Sequence, residues 1–93
     1  MYTSDDFLKD VFRIAEEKGY IIETTQGKGY KQINFGHKKL HANHISKLFP
    51  YVLENGANVN KLIEKIAPGR PCTHKPFREI VNIIKQNNDL KIQ

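Results

Sequence analysis

Residues 30–43 read Tyr-Lys-Gln-Ile-Asn-Phe-Gly-His-Lys-Lys-Leu-His-Ala-Asn, and their alternation decides the fold. From Tyr30 to Phe35, Lys31, Ile33 and Phe35 point one way and Tyr30, Gln32 and Asn34 the other. Phe35-Gly36-His37-Lys38 has the form of a tight hairpin with glycine at its first central position. From Lys38 to Asn43 the pattern resumes, with Leu40 and Ala42 on one face and Lys39, His41 and Asn43 on the other. A period of two, broken by a two-residue turn, specifies antiparallel strands. Ile33, Phe35, Leu40 and Ala42 are expected to be buried. Tyr30, Gln32, Asn34, Lys39, His41 and Asn43 are expected to form a wet face.

Upstream, Tyr20-Ile21-Ile22-Glu23-Thr24-Thr25 is aromatic and β-branched and supplies a first strand, joined through the turn Gln26-Gly27-Lys28-Gly29. A helix is predicted over 5–18. Thr3 or Ser4 can cap it, Asp5 and Asp6 suit the positive end of its dipole, and Phe7, Leu8, Val11, Phe12 and Ala15 keep helical spacing. Gly19 stops it.

Downstream, Ile45, Leu48, Phe49, Val52 and Leu53 define a second helix, with Asn43 as its expected cap. Pro50 predicts a kink or a fresh start within it. Asn58 can cap a third helix carrying Val59, Leu62, Ile63 and Ile66, and Thr73 a last one carrying Phe77, Ile80, Val81 and Ile84 with Pro76 in its first turn. The expected fold is α+β: a small three-stranded antiparallel meander packed by an N-terminal helix and C-terminal helices, in a single domain over 1–93. Within it, 1–53 holds the first helix, the meander and the following helix, and 57–88 a helical pair.

The 93 residues carry 15 Lys and Arg against 10 Asp and Glu, a net charge of +5 placed unevenly. Residues 1–23 hold six acids and three bases. Residues 24–53 hold no acid and five lysines, Lys28, Lys31, Lys38, Lys39 and Lys47. A one-signed field of this kind attracts polyanions. A single cysteine excludes an internal disulfide framework, and no apolar run reaches the length of a membrane span. The opening residues show no apolar signal core, so a cytoplasmic setting without membrane contact is expected.

Lysine for phosphates, Asn and Gln for bases or sugars and Tyr for stacking recur in the hairpin, which makes nucleic acid, RNA or DNA, the first expected partner. The expected contact residues are Lys28, Tyr30, Lys31, Gln32, Asn34, Lys38, Lys39 and His41. Arg70, Lys75 and Arg78 join them at the start of the last helix, where free N–H groups favour anions. Helices 58–67 and 73 onward are spaced loosely like a helix-turn-helix pair, across the longer loop Pro68-Gly69-Arg70-Pro71. His37, His41 and His44 cluster, but the spacing of zinc ligands is lacking, and no cofactor or metal is expected. His41 and His44 are the histidines able to serve acid/base chemistry on RNA, without an identifiable catalytic partner. No phosphate-binding loop or paired carboxylates are found, and the expected activity is binding without catalysis. The alternative is a small inhibitor or adaptor that binds another protein, of the host-takeover kind encoded by phages and mobile elements.

Across residues 7–53 the order of elements, and Lys18-Gly19-Tyr20-Ile21-Ile22 followed by Gln26-Gly27, resemble the HicA-type toxins. The resemblance implies a double-stranded-RNA-binding-like α-β-β-β-α fold and cleavage of mRNA. That family carries a histidine after Gly-Ser or Gly-Thr in its second strand. Here the matching region is Gly27-Lys28-Gly29-Tyr30, so no catalytic histidine is carried over. The C-terminal helices lie outside the pattern.

Overall fold

The computed structural model describes residues 2–24, 29, 31–36, 38–55 and 59–88. Helix α1 spans Ser4–Glu17, one residue earlier at each end than its periodicity suggests, and its ends are set by local hydrogen bonds. The Asp6 N–H donates to Thr3 Oγ1 at 3.2 Å, and the Thr3 N–H donates to Asp6 Oδ2 at 3.0 Å, a reciprocal cap. The backbone hydrogen bonds hold Asp6 below the usual carboxylate range. At the other end Gly19 adopts φ +94°, its N–H donates to the Glu16 carbonyl, and the Tyr20 N–H reaches back to Ala15. This double closure needs a residue free of Cβ strain, which is why the helix stops at the glycine. Phe7, Val11, Ile14 and Ala15 form its buried stripe.

Strands β1 (Ile21–Thr24), β2 (Lys31–Asn34) and β3 (Lys39–His41) form an antiparallel sheet in that order. The register sets Ile22, Ile33 and Leu40 side by side facing the helices. It sets Glu23, Gln32 and His41 side by side on the opposite face. Gly36, at φ +111°, opens the β2–β3 turn, and the Phe35 N–H donates to the Lys38 carbonyl across it.

Helix α2 (Ala42–Asn55) starts directly after β3. Ala42 and Asn43, expected at the end of a strand, are its first two residues, and Asn43 does not cap it. The Ile45-Leu48-Phe49-Val52 stripe is buried along one side, and helix formation extends upstream from it. Pro50 lies within this helix without dividing it. It forfeits one backbone hydrogen bond, but it sits on the exposed side while Leu48, Phe49 and Val52 hold the chain against the core.

Helix α3 (Asn60–Ile66) has no side-chain cap at Val59, and Asn58 lies outside the described residues. A 3-10 turn, Pro71–Thr73, runs straight into α4 (His74–Asn88). Thr73 is therefore no cap: its buried hydroxyl donates to the Arg70 carbonyl at 2.8 Å. The turn and the loop before it separate α3 from α4 by more chain than a helix-turn-helix uses.

One apolar cluster joins all these elements, with Phe7, Phe49 and Phe77 ring to ring, and Ile33 and Leu40 anchoring the sheet to it. Each such side chain contributes about 1.5–3 kcal/mol on burial. Among the described residues no helix is long and apolar enough to cross a membrane.

Candidate nucleic-acid interface

The structure divides the predicted contact residues between the two sheet faces. Lys28 and Tyr30 lie outside the described residues. Lys31, in step with Ile33, stands on the helix-facing side and lines a groove beside α1. Gln32, Asn34, Lys39 and His41 occupy the opposite face, as the alternation requires.

That face is less free than its sequence suggests. Gln32 is 7% exposed, on the central strand between Glu23 and His41. Its amide donates to Glu23 Oε1 at 3.3 Å, and Lys39 Nζ lies 3.1 Å from the same oxygen. Glu23 is the residue just before the acid-free segment. Strand register returns it to the lysines. Asn34 Oδ1 accepts the Gly36 N–H at 2.8 Å and so holds the hairpin turn.

Beyond Lys39 the face continues onto α2. The rings of His41 and His44 stack with centroids 4.9 Å apart and 9° between planes. The His41 backbone N–H donates to His44 Nδ1 at 3.4 Å, on the pattern of a side chain capping a helix start. Burial first, then the charges of His41, Arg70 and Lys47, hold the His44 imidazole below its ordinary value. Neutral, accepting at Nδ1 and stacked, His44 serves the helix start.

Arg70 enters from the loop before the 3-10 turn. Its Nε donates to the Lys39 carbonyl at 2.9 Å and its Nη1 to the Pro68 carbonyl at 3.1 Å. These bonds seal the β3 edge and leave the guanidinium beside His44. Lys47 follows His44 by one helical turn, and Tyr51, 41% exposed, by two. Lys47 and Tyr51 also border a shallow cavity with Pro50 and Ile66.

Lys39, His41, His44, Arg70, Lys47 and Tyr51 thus form one stripe from the hairpin along the outside of α2, while Lys38, paired with Phe35 and in step with Leu40, is exposed on the other side of the hairpin. His44, Lys47 and Tyr51 were not among the expected contact residues. Their spacing of three and four was visible in the sequence, but only with helix α2 begun at Ala42 does it align with β3.

The second expected cluster is not assembled in the same way. At the start of α4, Glu64 Oε1 lies 3.7 Å from His74 Nε2, and Glu64 Oε2 accepts the Gly69 N–H at 3.1 Å. A carboxylate therefore stands where an anion was expected. Lys75 is exposed on α4 and Arg78 half-buried, and of the C-terminal bases Arg70 is the one tied to the stripe. Among the described residues no group of three His, Cys, Asp or Glu is placed to hold a metal ion.

Comparison with protein-family models, with curated proteins and with solved structures yields no match, so geometry alone carries the functional reading.

Proposed function

We propose that this protein is a small nucleic-acid-binding module that acts without catalysis and grips the phosphate backbone along the stripe from Lys39 to Tyr51. The observation that supports this reading is the run Lys39, Arg70 and Lys47 on one continuous surface that ends in an exposed tyrosine ring. Cations spaced along a ridge neutralise successive phosphates, and an exposed ring offers a face to an unpaired base. Tyr51 therefore favours a single strand over a duplex, whose bases are already stacked. Glu23 opposes this charge at one end, where its carboxylate meets Gln32 and Lys39.

The test is fluorescence anisotropy with labelled single-stranded RNA, single-stranded DNA and duplex DNA at low salt. Binding by the intact protein, with single strands bound more tightly than duplex, is expected. Its loss on Lys39→Glu with Lys47→Glu is also expected, with circular dichroism showing the variant folded. Absence of binding to all three ligands at low salt rejects the reading.

A further inference from the structure

The two edges of the sheet are treated differently. At β3, Arg70 covers the outer carbonyl of Lys39. At β1, the outward backbone groups of Ile21–Thr24 meet no partner among the described residues beyond the ladder to β2. β1 is also β-branched and carries Ile21, 62% exposed, on the polar face. An edge of this kind is a template for another strand, and soluble proteins usually blunt it.

On the other sheet face from the stripe, a groove of about 540 Å³ runs from Ile22 of β1 past Gly29 and Lys31 to Ala42. Leu8 and Phe12 of α1 and Ile22 of β1 form its apolar floor. Lys9, Arg13 and Lys31 stand on its rim with a single carboxylate, Glu16. Arg13 is paired with Asp10 and Glu17, at 3.4 and 3.1 Å, so the cations left to a visitor are Lys9 and Lys31.

We propose that an extended, acidic segment of a partner protein adds to the free edge of β1 as a fourth strand. Its main chain takes up the outward N–H and C=O groups of β1, as in other cases of strand addition. Alternate side chains then enter the groove, where carboxylates meet Lys9 and Lys31 and methylenes cover Ile22 and Phe12. Side chains of the other parity lie beside Ile21. A second copy of this chain would set Lys9 and Lys31 against the same two lysines, which argues against it as the occupant.

This surface is separate from the stripe, so the two can be tested apart. The probe is a capped hexapeptide of alternating valine and glutamate, with its valine–lysine counterpart as control, titrated into the ¹⁵N-labelled full chain. Shifts at β1 amides and at Leu8, Phe12 and Ile22, together with slowed hydrogen exchange along β1, are expected. Lys9→Glu with Lys31→Glu is expected to weaken the glutamate peptide by at least about tenfold. Nucleic-acid binding at the opposite face should survive that change. No shift with millimolar glutamate peptide, equal binding of the lysine peptide, or sedimentation of the free protein as a dimer broken by charge reversal at Lys31 would each overturn the proposal.

Discussion

Salt dependence gives the stripe a quantitative test. Three cations, Lys39, Lys47 and Arg70, lie along it. If each neutralises one phosphate of a single strand, the logarithm of the binding constant falls with the logarithm of salt at a slope of about −2. Raising salt from about 50 to about 200 mM then weakens binding roughly twentyfold. Lys47→Ala removes one cation and should flatten the slope by about 0.7, and adding Lys39→Ala should take off about as much again. Lys61→Ala, on α3 and outside the stripe, should leave the slope unchanged. Tyr51→Ala acts through stacking and not through charge. It should cost about 1–3 kcal/mol if its ring carries one base, with the slope retained. The assay is anisotropy with a labelled single-stranded RNA across a salt series, fitted for affinity and slope together. A slope that Lys39→Ala with Lys47→Ala leaves at its starting value would refute the reasoning, because the phosphates would then be held elsewhere.

Other consequences follow from single contacts. Glu23→Gln keeps the bond to Gln32 within reach but frees Lys39, so single-strand affinity should rise a few-fold, read in the same assay. The His44 pKa is depressed by folding, so the unfolded chain takes up the proton first. Stability should be whole above about pH 6.5 and fall as pH drops through 6.5 toward the lower folded value. His44→Gln, which can still accept from the His41 N–H, should make thermal midpoints between neutrality and about pH 5 less pH-dependent than those of the unaltered protein. Ile33, fully buried between Ile22 and Leu40, should cost about 2–5 kcal/mol when cut to alanine, seen as a lower urea midpoint. Thr3→Ala removes the hydroxyl that caps α1 and should lower stability by about 1 kcal/mol in the same measurement, while an unchanged midpoint would mean that the cap is replaced by water at no cost.

The framework was legible where local chemistry and long-range packing agree. Helix α1 follows from its stripe, its acids and Gly19, since capping and helix termination act within a few residues. The hairpin follows from the alternation around Gly36. Departures occur where packing outweighs a local signal. Pro50 ordinarily interrupts a helix, yet Leu48, Phe49 and Val52 hold α2 through it. Asn43 and Thr73 have the chemistry of caps, but β3 runs into α2 and the 3-10 turn into α4 without the break a cap requires.

By itself, the sequence determined which residues share a face, because the periods of strand and helix are properties of the backbone. It also placed the positive charge in the middle of the chain. Only the tertiary structure decided what that charge can do. Register brought Glu23 onto Lys39 and Gln32, and the loop brought Arg70 onto β3. The start of α2 aligned His44, Lys47 and Tyr51 with the hairpin. Electrostatic interactions depend on distances between residues far apart in the chain, and those distances exist only once the core has closed.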